Sequence, residues 1–303
     1  MVTDGLGVPI PAAIRERVTE LIGPVQRVEP LGGMSGAGVV RVVGRSGTRV
    51  VKRTGSDREA FVYRDLAPVL AEAGVRIPGC DGAVTIDGAG AWLVLEDVPE
   101  ALPRERWGVD PAVFATLARL HALPVSVLEP IGGGFRPVWD DALDRAAGRW
   151  LPPDVMAMLG VARETFQALG DTRWVISGDP NPLNWGIASD GTVVLLDWER
   201  IGTGHPAIDV AIALPGLPGQ RERLGAIERY TVARRDGGPA AETIHDQQIV
   251  AAKVWTALGI FAEAQPGEDP DDETSPAGRL AGVARTLTGS LPGWLEASMG
   301  RDS

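Results

Sequence analysis

Residues 175–200, VISGDPNPLNWGIASDGTVVLLDWER, constrain this chain more than any other stretch. Asp190-Gly191 separates two strand-like runs, Trp185-Gly186-Ile187 and Val193-Val194-Leu195-Leu196. An Asp-Gly pair between such runs predicts a β-hairpin, because both residues tolerate the positive φ angles of a tight turn. The hairpin returns Asp197 to the neighbourhood of Asn184, and of Asp179 in the preceding Gly-Asp-Pro loop. Three oxygen-bearing side chains at one mouth suit a magnesium-dependent phosphoryl transfer. One carboxylate takes the acceptor proton, while an amide and a second carboxylate hold the metal.

The rest of the composition narrows the partners. The net charge of -11 argues against nucleic acid or an anionic membrane as the main partner, and is compatible with a cationic acceptor. No apolar run approaches the roughly 20 residues that span a bilayer. The N-terminal residues lack a basic start followed by an apolar stretch, so no signal peptide is expected. Cys80 is the single cysteine, which excludes an intrachain disulfide and fits a reducing cytoplasm. The 303 residues suffice for two lobes, and nothing in them sets the oligomeric state. Of the 29 basic residues only Lys52 and Lys253 are lysines. In so arginine-rich a chain, Lys52 is a candidate compact ammonium for neutralising phosphate.

Upstream of the hairpin, residues 8–23 predict an amphipathic helix with Ile14, Val18, Leu21 and Ile22 on one face. Strands follow at 25–30, 39–43 and 48–53, the first two joined by the glycine-rich run Leu31-Gly32-Gly33-Met34-Ser35-Gly36-Ala37-Gly38. That run either cradles phosphates with its backbone amides or is a plain hairpin turn. A helix from Ser56 to about Ala73 carries Glu59, which can pair with Lys52 or, as part of Ser56-x-x-Glu59, close the helix in a capping box. Strands at 83–87 and 91–98 complete a five-stranded antiparallel sheet with one helix. Pro99 and Pro103 mark a hinge into a helical lobe, with a loop at 126–140 and helices at 110–123, 140–149, 153–169, 219–235, 241–264 and 279–299. His121 is expected to be structural, Asp209 to anchor the backbone of the loop carrying Asp179, and 265–278 to be a solvated acidic loop. The acidic residues Glu263, Glu268, Asp269, Asp271 and Asp272 offer a second reading, as contacts for a cationic acceptor.

Taken together, these segments resemble the aminoglycoside phosphotransferase and choline kinase-like family of small-molecule kinases. The resemblance rests on Ser177-Gly178-Asp179 with Asn184 after four further residues, on Leu196-Asp197-Trp198-Glu199, on Gly204-x-Pro206-x-x-Asp209-Val210-Ala211, and on Leu120-His121-Ala122. It runs from about residue 25 to 215. It implies an α+β, protein kinase-like two-lobe fold: a nucleotide-binding lobe at 1–97, and a mainly helical lobe at 98–303 with the catalytic loop and acceptor pocket. The departure is Ser177, where the family usually has His, and it keeps a nucleotide-binding pseudokinase as an alternative.

The resemblance also implies roles. Asp179 is the catalytic base or orienting group. Asn184 and Asp197 hold Mg²⁺, with Glu199 a candidate metal or supporting group. Lys52 neutralises the α/β-phosphates of ATP or GTP and Glu59 fixes its rotamer. Gly33, Ser35 and Gly36 cover the β/γ-phosphates, and the backbone at Glu96 and Val98 meets the nucleobase. The expected reaction is O-phosphorylation of a small molecule. An antibiotic is the first expectation, and a metabolic compound of the choline, homoserine or sugar type the alternative.

Overall fold

The computed structural model describes residues 10–31, 38–86, 90–170, 173–235, 243–264, 268–272 and 275–299. The chain divides into two compact units, residues 1–101 with 184–201, and residues 102–183 with 202–303. The fold is α+β and protein kinase-like, with a five-stranded antiparallel sheet in the first unit and mainly helices in the second.

In the first unit, helix α1 (Ala12–Ile22) presents Ile14, Val18 and Ile22 at four-residue spacing. This stripe packs on Val40, Val42, Val51, Trp92 and Val94 of the sheet, each such side chain contributing about 1.5–3 kcal/mol by leaving water. Gly23, at φ 74°, ends the helix in a conformation that costs a residue with a Cβ more. The strands are β1 (Val25–Pro30), β2 (Val39–Gly44), β3 (Gly47–Thr54), β4 (Cys80–Ile86) and β5 (Gly90–Glu96), in the order β1-β2-β3-β5-β4, all antiparallel. β5 is buried on both faces up to Leu95, as its unbroken apolar sequence requires. It ends at Glu96, two residues short of the sequence expectation, and Asp97 and Val98 form no strand before Pro99.

The helix after β3 is continuous but not uniform. An α-helical turn, α2 (Asp57–Phe61), passes into a π-helical turn at Val62–Leu66 and then into α3 (Ala67–Glu72). Such a bulge often marks a functional site. The predicted hairpin pairs Trp185–Ile187 with Val193–Leu195, and Gly191 takes φ 82° at its turn. Gly186 cannot be larger, since a Cβ there would lie 2.5 Å from Val98 Cγ1.

The second unit contains α4 (Pro111–Leu120), α5 (Asp141–Ala147), α6 (Pro153–Ala168), α7 (Pro206–Ala213), α8 (Gln220–Arg235), α9 (Asp246–Glu263) and α10 (Pro276–Met299). Two short strands, Trp174–Ile176 and Gly202–Gly204, pair antiparallel. Three expectations shift. The 126–140 loop holds a 3-10 helix at Val125–Ile131, because Leu128 is buried and Gly132 at φ 64° closes it. The helix expected from 241 starts at Asp246, where His245 and Gln248 form a capping box. The last helix starts at Pro276 rather than 279, proline being well suited to a first turn. The acidic loop therefore ends earlier than 278.

Lys253, on α9, is buried and donates to the Leu214 carbonyl at 2.5 Å. Burial pushes its pKa down to about 7. Between that value and the unfolded-chain value of about 10.4, the unfolded chain binds the extra proton, so folding stability rises with pH. Below pH 7 the ammonium is charged in both states and the full cost of burying it remains. Lys253→Met is expected to remove this alkaline rise, as the difference between wild-type and variant urea midpoints from pH 7 to 10. An identical pH dependence in the two proteins would contradict the assignment.

Candidate active site

The alternation of β3 builds the first half of the site. Val51 faces the α1 core, so Lys52 and Thr54 share the other face. Lys52 Nζ donates to Glu59 Oε1 at 2.7 Å and to Asp197 Oδ1 at 3.0 Å. Ser56 makes no side-chain cap, and its own N–H donates to Thr54 Oγ1 at 3.0 Å. Glu59 therefore serves Lys52 rather than closing a capping box. Burial alone would lower the Lys52 pKa, but Glu59 and Asp197 outweigh it and hold the ammonium above its ordinary value. Burial pushes Glu59 up, and Lys52 only partly offsets this. Beside the pair, burial holds the phenol of Tyr63 well above its usual range.

The hairpin delivers Asp197. The Leu196 N–H donates to the Asn184 carbonyl at 2.8 Å, which ties the end of the second strand to the residue before the first. Asp197 is the one non-glycine residue with positive φ, 56°, among the described residues. Aspartate tolerates that region better than most residues, at a cost of about 1–3 kcal/mol, and such outliers cluster at functional sites. The Trp198 indole N–H donates to the Leu195 carbonyl at 3.1 Å, and that side chain is fully buried. Glu199 accepts from Thr54 Oγ1 at 3.5 Å.

Glu59, Asp197 and Glu199 each offer a carboxylate oxygen within 4.8 Å of the others. Glu59 Oε2 is buried and has no hydrogen-bond partner among the described residues. Hard carboxylate oxygens, one of them orphaned, fit Mg²⁺ chemically. The Glu59 contribution carried no sequence signal beyond its expected bond to Lys52. Thr54 carried none at all.

The loop bearing Asp179 is organised within the second unit. Asp179 Oδ1 accepts from Asn181 Nδ2 at 2.9 Å. Asp209, fully buried on α7, accepts from the Ser177 N–H at 2.7 Å and the Gly178 N–H at 2.9 Å. This is the expected anchoring role. His121 Nε2 also lies 3.0 Å from Asp209, and its Nδ1 lies 2.8 Å from the Tyr230 hydroxyl. A neutral His121 donating to Asp209 would accept from the phenol. The phenol keeps its proton, since burial pushes the Tyr230 pKa above its usual range. Tyr230 sits on α8, which carries no motif, so nothing in the sequence pointed to it. Ser177 Oγ is buried without a partner among the described residues, so the loop is held through backbone amides at this position.

Glu96 and Val98 lie in the first unit. The Glu96 carboxylate accepts from Arg76 at 2.7 Å and from the Gly79 N–H at 2.9 Å, and its own N–H donates to the Gly79 carbonyl at 2.7 Å. Gly33, Ser35 and Gly36 lie outside the described residues.

Among solved structures, the GDP complex of wild-type aminoglycoside 2'-phosphotransferase-IIIa superposes with a TM-score of 0.63 at 13% identity, over 92% of this chain and 98% of that one. The GDP and kanamycin complex of APH(2")-IIIa gives 0.63 at 14%, over 97% and 100%. The choline kinase LicA from Streptococcus pneumoniae gives 0.56 at 17%, over 90% and 98%. At these identities the likeness shows the fold. No curated protein sequence matches the chain. Residues 27–245, well over half of the sequence, match the phosphotransferase enzyme family, and the chain belongs to that family.

Proposed function

We propose that the protein transfers the γ-phosphoryl group of ATP or GTP to a hydroxyl of a small molecule, an antibiotic being the first choice of acceptor. The observation that carries this reading is Lys52, buried between Glu59 and Asp197 beside a three-carboxylate cluster, in a chain of the phosphotransferase family. Residues 1–97 bind the nucleotide, and 98–303 supply the catalytic loop and the acceptor site. Lys52 neutralises the phosphates, the 33–36 backbone covers them, and the backbone at Glu96 and Val98 meets the base. Asp179 accepts the hydroxyl proton or orients the hydroxyl for attack. Asp197 and Asn184, with Glu199 beside them, hold Mg²⁺. When bound, the ion supplies charge stabilisation to the phosphates.

The GDP complexes and the AMP complex among the structural relatives support a nucleotide donor. The kanamycin complex supports an aminoglycoside-like acceptor. A metabolic hydroxyl compound is the second reading, favoured by the likeness to a choline kinase. The amide bonds from Ser177 and Gly178 to Asp209 support an intact loop despite the missing histidine, and so favour an active enzyme over a pseudokinase.

The test is a screen of hydroxylated antibiotics and metabolites for acceptor-dependent ATP or GTP consumption, with mass detection of one added phosphate. A protein that binds Mg-nucleotide yet phosphorylates nothing in such a screen favours the pseudokinase. Asp197→Ala is expected to weaken nucleotide binding in the presence of Mg²⁺ by about 10-fold or more, the loss of one charged metal contact. Binding in EDTA is expected to change little. Equal affinities for wild type and variant in Mg²⁺ would remove Asp197 from the metal site.

A further inference from the structure

Strand pairing in the hairpin ends at Leu195, so the next backbone amides have no ladder to join. Each finds another acceptor within the first unit. The Leu196 N–H takes the Asn184 carbonyl, at 2.8 Å. The Trp198 N–H donates to Glu59 Oε1 at 3.4 Å. The Asp197 N–H donates to the hydroxyl of Tyr63. Tyr63 is buried, in the π-helical turn that follows α2, four positions after Glu59. One helix therefore holds two successive amides of the segment that carries Asp197.

These two amides belong to the peptide groups on either side of the Asp197 Cα. Peptide groups are planar, so φ and ψ of Asp197 are the only soft rotations between them. Holding both planes holds both angles, and with them the direction in which the carboxylate leaves the backbone. The φ of 56° makes that control necessary. A left-handed residue other than glycine persists only where its surroundings over-determine it. Lys52 does not supply this, because its bond at 3.0 Å reaches the side-chain Oδ1 and not the backbone.

A tyrosine suits the position on electrostatic grounds. Glu59, Asp197 and Glu199 already bring three carboxylates within 4.8 Å of one another. A fourth charged group accepting from the Asp197 amide would repel them. Burial, with the charges of Glu59 and Asp197, holds the phenol well above its usual range, so it accepts the amide as a neutral group. Phenylalanine would supply the same ring but accept nothing.

We propose that Tyr63 is a positioning residue for Asp197: its hydroxyl, together with Glu59, holds the left-handed backbone that aims the Asp197 carboxylate at Mg²⁺. This rests on Asp197 being a metal carboxylate.

The experiment measures ADP binding calorimetrically, in Mg²⁺ and in EDTA, for the full-length wild type, Tyr63→Phe, Asp197→Ala and the double variant. Tyr63→Phe is expected to lower the ratio of the two affinities by about 2- to 10-fold, the worth of one hydrogen bond, with the EDTA affinity unchanged. In the Asp197→Ala background it should change the ratio no further. A tyrosine that only packs would lower the melting temperature and leave the ratio alone, and that result overturns the proposal. So does a ratio that Tyr63→Phe lowers equally when the Asp197 carboxylate is already gone. A wild-type ratio in Asp197→Ala instead removes the metal role of Asp197, and the proposal falls with it. A second measurement needs no variant at Tyr63. The chain has two tyrosines, Tyr63 and Tyr230, so labelling with 3-fluorotyrosine gives two ¹⁹F resonances, assigned with Tyr230→Phe. The Tyr63 resonance is expected to shift when Mg²⁺ is added to the ADP-bound protein, and a resonance that stays in place overturns the proposal.

Discussion

Asp179→Ala is expected to lower kcat by about 10²–10⁴-fold, the contribution of a positioned general base. Mg-nucleotide affinity and the melting temperature should be close to wild type. The separation follows from where the residue sits. Asp179 belongs to the second unit, and the side-chain bond that defines it, from Asn181, is local. The groups proposed to hold the nucleotide, Lys52, Glu59 and Asp197, bond to one another in the first unit. Removing Asp179 leaves that set intact. Calorimetry with a non-hydrolysable nucleotide and steady-state turnover, measured on one preparation, check both halves. Turnover at the wild-type rate would eliminate Asp179 as the base. A parallel loss of nucleotide affinity would mean that the aspartate binds rather than reacts.

Asp209→Ala is expected to cost about 3–5 kcal/mol of stability, because one fully buried carboxylate satisfies the Ser177 and Gly178 amides and bonds His121. Alanine leaves those buried groups without a partner at once. Protein that still folds should lose at least about 10²-fold in kcat, since a loop misplaced by about 1 Å costs that much. Urea denaturation and turnover together test this. Asp209→Asn separates the parts: it keeps the volume but replaces one acceptor oxygen with a donor, so it should recover part of the stability. A small stability loss in Asp209→Ala would show that water replaces the carboxylate and that the anchor is dispensable.

The two variants bear on one difference between this chain and the pattern it resembles. Ser177 stands where a histidine is usual. Its hydroxyl makes no bond among the described residues, while its backbone amide is firmly held. The lost imidazole is therefore a side-chain loss. Asp209 carries the loop, and His121 with Tyr230 backs Asp209.

Periodicity and turn chemistry act locally, and what they govern was legible in the residues. The alternating and apolar runs between 25 and 96 specified five strands, because side chains two apart must share a sheet face. Asp190-Gly191 specified the hairpin at Trp185–Ile187 and Val193–Leu195 by the same local logic. The Asp209 anchor was expected as well, and it bonds the Ser177 and Gly178 amides. Helix starts were less so. Asp246 and Pro276 were missed by a few residues, because capping competes closely among neighbouring polar positions.

What only the tertiary structure decided are the contacts between residues far apart in sequence. Glu59 could cap its own helix or reach Lys52, and the packing of α2 against β3 and β5 chose the lysine. Thr54 meets Glu199 across 145 positions, and Tyr230 meets His121 across 109. In each case the residue type permits several partners of similar energy, and close packing of the surrounding side chains leaves room for one. Residues 175–200 determined by themselves that a carboxylate would end a hairpin beside Asn184. The fold decided that this carboxylate, at φ 56°, would meet a buried lysine and two glutamates.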